Sequence, residues 1–261
     1  MYSKQQNIQY GVYNTNHRKR GTALVFVVHE DRKGSHRDLK DLQQVLKHLQ
    51  FDVRSYEDYT AAEVRKVLAK VSKEDHTNSD CLLIVSMTHG SKDRLAFVGG
   101  DIFCIDELWM DLVGNKCPSL IGKPKLVFVQ SCRGKKYDVG CYHSFLQVDA
   151  APKAVQPVNL CLPMYADLLV MYSTYEDHVS FRSETDGSWF IQSLCQVLGS
   201  DISKKDLLAL LTHVTYLVSC RSTPPQPGSY KQVPVMNSSL CKAFYFVPKL
   251  SKATHTQQVQ R

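Results

Sequence analysis

Hydrophobic and polar positions alternate along this chain between two periods. Ala23–Val28 is an uninterrupted apolar run and predicts a buried strand. Leu39, Leu42, Val45, Leu46 and Leu49 then recur at helical spacing, with Ser35 placed to cap the helix. Phe51–Tyr56 alternates as a short strand, and Thr60 caps a second helix whose apolar face is Val64, Val67, Leu68 and Val71. Cys81–Met87 is the next strand. Arg94–Cys104 predicts a hairpin turning at Gly99–Gly100, followed by a short helix over Ile105–Leu112 and a strand over Leu126–Gln130. Between Lys135 and Leu160 the periodicity breaks, with Pro152 and Pro157 inside the break and Pro163 just beyond it. Ala166–Tyr172 resumes as a strand, Ser188–Leu198 and Lys205–Val218 as helices, and Ala243–Val247 as a final aromatic strand. Fully apolar strands separated by amphipathic helices predict an α/β fold, a mainly parallel sheet with helices on both faces. In such sheets the chemistry collects at the carboxyl ends of the strands.

The bulk numbers narrow the class. The chain has 261 residues and 43% hydrophobic residues, enough for one large or two small domains with a sizeable core. No apolar stretch reaches the ~18 residues a membrane span needs, and the polar first residues lack the apolar centre of a signal peptide. The cytoplasm or nucleus is therefore expected; the nine cysteines, with no CxxC pair and no Cys/His cluster at zinc spacing, fit that as reduced thiols, and the chemistry read below needs no metal and no other cofactor. A net charge of +7 is scattered except for His17-Arg18-Lys19-Arg20, a run that reads as solvated surface or a docking signal rather than a nucleic-acid or membrane site.

Two strand ends carry the candidate chemistry. The strand from Cys81 runs into Thr88-His89-Gly90, and roughly forty residues later Leu126–Gln130 runs into Ser131-Cys132-Arg133-Gly134. A thiolate is the nucleophilic form of cysteine, and a neighbouring imidazole can take its proton and pass it to a leaving amine. Backbone amides at a tight turn stabilise the oxyanion that forms, and those of Gly90 and Cys132 are placed to do so.

These residues resemble the caspase signature, in which Q-A-C-[RQG]-G follows a histidine about 50 residues upstream. Here Ser131 replaces the alanine. The segments Lys123–Gly134, Val170–Thr174, Asp186–Cys195 and Lys231–Pro234 extend the resemblance over nearly the whole chain. It implies a caspase-like three-layer sandwich with a mostly parallel six-stranded sheet, and an endopeptidase cutting proteins after aspartate. His89, Cys132 and Gly90 are then catalytic. Arg32, Gln130, Ser180, Phe181 and Arg182 bind substrate, two arginines and a glutamine gripping the carboxylate, because guanidinium forks match that shape. Arg37 rivals Arg32. The short first loop, Glu30–Leu39, looks most like that of the keratinocyte caspase of cornifying epithelium.

By the same resemblance the chain divides into a short arm (1–20), a large portion (21–137), a cleavable linker (138–163), a small portion (164–248) and a disordered tail (249–261). Activation is a cut after Asp149, flanked by the small Ala150, or after Asp138. The arm is too short for an adaptor module. The aromatic strand at Phe244–Phe246 would pair across a dimer axis, giving a homodimer or cleaved heterotetramer. Two other readings stand beside this one: a caspase-like regulator that binds or titrates an active relative, and a relative that cuts after lysine or arginine, which the positive Arg182 disfavours.

Overall fold

The computed structural model describes residues 11–139, 163–202, 204–224 and 229–249. Six strands form the central sheet: β1 Thr22–Val27, β2 Asp52–Glu57, β3 Leu82–Met87, β4 Lys125–Gln130, β5 Leu168–Tyr172 and β6 Val235–Ser238. Their spatial order is β6-β5-β4-β3-β1-β2, parallel throughout except for the antiparallel edge pair β5–β6. Four α-helices accompany the sheet: α1 Ser35–His48, α2 Ala61–Val71, α3 Trp189–Leu198 and α4 Leu207–Ser219.

The apolar strands are explained by burial on both faces. Successive side chains point to opposite sides, so Ala23, Val25 and Val27 join Leu83, Val85, Leu126 and Phe128 in a core shared with α1, α3 and α4. Leu24 and Phe26 join Leu82, Ile84, Val127 and Val129 in a second core covered by α2 and the segment around Ile105–Leu120. The result is the expected three-layer sandwich. Helix α2 starts as predicted: Thr60 Oγ1 accepts from the Glu63 amide while the Glu63 carboxylate accepts from the Thr60 amide. Among the described residues no helix is long and apolar enough to cross a membrane.

The register levels the strands that matter. Val27 pairs with Met87, and Met87 with Gln130, so β1, β3 and β4 end side by side. The strand order reverses between β1 and β3, and the crevice outside the carboxyl ends at such a switch point is where open α/β sheets bind ligands. The three loops that leave these ends carry Arg32, His89 and Cys132.

Four local expectations are corrected. Phe244–Phe246 is not a sheet strand. It folds back onto the body, where Phe244 and Phe246 are buried beside Tyr13 and Phe51, and the Phe244 carbonyl accepts from Leu207 N at 2.8 Å. Three aromatics in succession suit a strand, but burial against α4 and the N-terminal arm uses them, and the sheet edge falls to Val235–Ser238. Ser35 does not cap α1: Gly34 does, in left-handed geometry, and Ser35 Oγ engages His29 Nδ1 instead. The predicted helix at Ile105–Leu112 is a 3-10 turn over Ile105–Leu108. Finally, Arg20 of the basic run is buried, its guanidinium paired with Asp80 at 2.9 Å, so that run is partly a structural staple.

The packing of Phe244 gives a stability prediction. Phe244→Ala should lower unfolding free energy by about 3–5 kcal/mol, read from urea denaturation.

Candidate active site

Cys132 stands two residues beyond the end of β4 and is half-buried. The Ser180 amide donates to its Sγ at 3.4 Å. No acceptor among the described residues takes the Cys132 amide itself. The setting differs from that of the core thiols. Burial pushes Cys81 up to about 12 and Cys195 higher still, so both stay protonated and inert. Among the described residues all seven cysteines are free thiols.

His89 follows β3 at the same level, since Thr88 N donates to the Gln130 carbonyl at 3.1 Å. Its Nε2 lies 3.1 Å from the Glu30 carbonyl. A carbonyl can only accept, so the neutral ring carries its hydrogen on Nε2 and keeps a lone pair on Nδ1. The ring is thereby oriented as a base. Gly90 is required by close approach: a Cβ there would sit 2.8 Å from the Arg94 carbonyl and 3.0 Å from Ser131 Cβ and Oγ. The strand pairing Gly90 with Leu95 can therefore lie directly against Ser131, the residue preceding Cys132.

Beside the thiol lies a pocket of fixed positive charge. Arg32 is 1% exposed. Its Nη1 donates to the carbonyls of Val28 (3.0 Å) and Met87 (2.6 Å), while Nη2, also buried, has no partner. Burial and the nearby Arg182 push Arg32 down to about 10, which leaves it cationic at neutral pH. Arg182 Nε donates to the Lys33 carbonyl at 2.7 Å, and burial lowers its pKa too. Both guanidinium charges are close enough to interact with Cys132. Gln130 donates one amide hydrogen to Ser180 Oγ at 2.9 Å and has a second to offer.

The loop that carries Arg32 is held locally. Arg32 N donates to the His29 carbonyl and Ser35 N to the Arg32 carbonyl, both at 3.0 Å. Gly34 has φ 84°, and a Cβ there would fall 2.3 Å from the Ser183 carbonyl. Only glycine lets this loop meet the Arg182–Ser183 segment. The rival Arg37 is on the surface, ion-paired with Asp41 at 2.6 Å. The cleavage candidates part company: the Asp138 carbonyl accepts from Lys231 N at 2.8 Å, whereas Asp149 lies outside the described residues.

The comparisons with known proteins place this geometry. Residues 20–245 match the family model described as the caspase domain. The chain belongs to the caspase family. It is 35% identical over 251 residues to Caspase-1 of Spodoptera frugiperda, spanning 92% of this chain and 82% of that protein. It is 33% identical to Caspase drICE of Drosophila melanogaster (91% and 73%) and 34% identical to Caspase-6 of Gallus gallus (95% and 88%). The crystal structure of Caspase-1 from Spodoptera frugiperda superposes with a TM-score of 0.80 at 32% identity, covering 91% of this chain and 96% of that one. The chain is accordingly a cysteine-type peptidase with a caspase fold, from a family that acts on proteins after aspartate as dimeric assemblies.

Three supporting residues of this caspase escaped the sequence reading. Buried Asp38 accepts from the Ser188 amide at 2.9 Å and Gln192 Nε2 at 3.0 Å, tying α1 to α3 behind the arginines. Its hydrogen bonds lie some 150 positions away, beyond any local pattern. Buried Gln232 bridges the Ser173 carbonyl and the Phe181 amide at 2.7 and 2.6 Å, fixing the segment that carries Phe181 and Arg182. It sits in the Lys231–Pro234 segment, so its position was legible and its role was not. The third is Glu30, which acts through its carbonyl and leaves no side-chain signal at all.

The close packing at Gly90 makes a test. Gly90→Ala should cost about 1–3 kcal/mol in transition-state stabilisation, seen as a fall in kcat/KM with the fold retained by circular dichroism.

Proposed function

We propose that this caspase is an endopeptidase that cleaves protein chains on the carboxyl side of aspartate through Cys132 and His89. The observation that carries the reading is the unpartnered, buried Nη2 of Arg32 beside Arg182 and Cys132. A substrate carboxylate supplies what that nitrogen lacks, an acceptor of opposite charge, and a basic side chain there would meet like charge.

In the proposed reaction His89 Nδ1 takes the thiol proton as Sγ attacks the scissile carbonyl. The new C–S bond leaves negative charge on oxygen, which the amides of Cys132 and Gly90 receive. Collapse expels the amine, protonated by His89, and water then releases the acyl group by the same steps. Arg32, Arg182 and Gln130 hold the carboxylate, while Ser180 and Phe181 line the path of the chain. Phe181 packs on Trp189 and near Tyr137 and Tyr230, ring centroids 4.8, 6.3 and 6.5 Å away, so an apolar residue preceding the aspartate suits this wall.

The finer expectations belong here too. A zymogen cut within 138–163 fits the large and small portions, and the backbone pairing of Asp138 with Lys231 favours Asp149 as the site. The exposed edge of β6 supports a homodimer, two-chain before the cut and four-chain after it, and pairing with other caspases would use the same edge. Free thiols suit the cytoplasm or nucleus. Programmed death or epithelial differentiation are the settings, the short loop after β1 supporting kinship with the keratinocyte caspase.

The test is a peptide library varied at the residue before the scissile bond. It is assayed with chain intact and cut in the linker, each at the mass found by sedimentation, where twice 29.6 kDa is expected. Cleavage restricted to aspartate and abolished by Cys132→Ala supports the reading. Cleavage after another residue, or activity surviving Cys132→Ala, refutes it. A folded dimer inert in both forms would instead be the caspase-like regulator.

A further inference from the structure

A group with ligand chemistry lies on the same sheet edge, on the β2 side of Arg32. Val27 pairs with Glu57, so the carboxyl ends of β1 and β2 are level, and His29 leaves β1 two residues later. The first turn of α1 brings His36 back over His29. The two imidazole rings stack with centroids 3.7 Å apart and planes 17° from parallel. His29 Nε2 is 2.9 Å from Glu57 Oε2. The ligand atoms of His29, His36 and Glu57 all lie within 4.8 Å of one another.

We infer that His29, His36 and Glu57 form a binding site for a divalent transition metal, zinc(II) by ligand chemistry. Two imidazoles and one carboxylate are a borderline donor set that suits zinc, and three protein ligands leave a fourth tetrahedral position for water. Tetrahedral donors about 2.0–2.1 Å from zinc are roughly 3.4 Å apart. His36 and Glu57 have exposed side chains, so small torsions bring the set to that spacing. His29 is also braced from behind: its Nδ1 meets Ser35 Oγ at 2.8 Å and its amide donates to Asp58 at 2.7 Å. Such outer contacts orient a ligating imidazole and fix which nitrogen faces the ion.

The location gives the ion a consequence, and that part rests on the protease reading. His29 and His36 flank the short loop whose parts serve the site. The Glu30 carbonyl holds His89, the Asp31 and Lys33 carbonyls hold Arg182 at 3.3 and 2.7 Å, and Arg32 projects into the pocket. An ion bound to both histidines and to β2 ties the two ends of that loop to the sheet. The sequence did not announce the cluster, because its histidines stand seven apart and its carboxylate comes from the next strand.

The experiment uses full-length Cys132→Ala protein, which removes the catalytic thiol as a competing ligand and makes the result independent of any protease activity. Cobalt(II) titration should give one equivalent of saturable, visible tetrahedral absorption, displaced by one equivalent of zinc(II), and zinc should raise Tm. His36→Gln and Glu57→Gln, each altering an exposed side chain and expected to keep the metal-free Tm, should weaken cobalt affinity by at least about tenfold. The inference is overturned if the parent protein gives no saturable cobalt spectrum, or if both variants bind within tenfold of it.

Discussion

The site depends on a full positive charge held where water hardly reaches. A buried guanidinium is costly unless its donors are met, and Arg32 has two of them met by the main-chain carbonyls of Val28, just past β1, and Met87, at the end of β3, with one nitrogen left open. That unmet donor suits an anionic partner, and the carbonyls that anchor it sit at the ends of two paired sheet strands. Arg182 adds a second charge, aligned by carbonyls of the same loop that carries Arg32. A carboxylate bound there, as proposed, would relieve a cost already present in the fold, with little reorganisation.

The sheet explains why this pocket and Cys132 are neighbours. Because β1, β3 and β4 are parallel and level, the loops after them open at one edge, at the point where strand order reverses. One loop brings Arg32, one His89 and one Cys132. Glycine serves twice, at Gly34 and Gly90, by letting a loop lie against backbone or against Ser131 where any side chain would collide. The buried Asp38 then joins α1 to α3, so the two arginine-bearing segments are braced from the same side of the sheet.

Much of this was legible in the residues. Apolar runs such as Cys81–Met87, alternating with amphipathic helices, read as doubly buried strands, and Thr60 announces a helix start. Cys132 and His89 were singled out from the strand ends they occupy, and the structure does set those ends side by side. What failed was nonlocal. The aromatics Phe244 and Phe246 read as a strand because their pattern records burial without recording the partner, and here the partner is a helix and an N-terminal arm. Ser35 reads as a cap until His29, six residues earlier, claims its hydroxyl. Arg32 and Arg37 could not be separated by spacing alone; depth separates them, one sealed beneath the β1–β3 edge and the other paired with Asp41 in solvent.

The most direct measurement is the ratio of kcat/KM for two peptides differing only in aspartate against asparagine before the scissile bond, in the parent enzyme and in Arg32→Gln. If the buried guanidinium binds the substrate carboxylate, the variant loses about 2–5 kcal/mol of that discrimination, a fall of roughly 30- to 4,000-fold in the ratio. An unchanged ratio in a folded variant would contradict the account, because the charge at the heart of the site would then serve the fold and not the substrate.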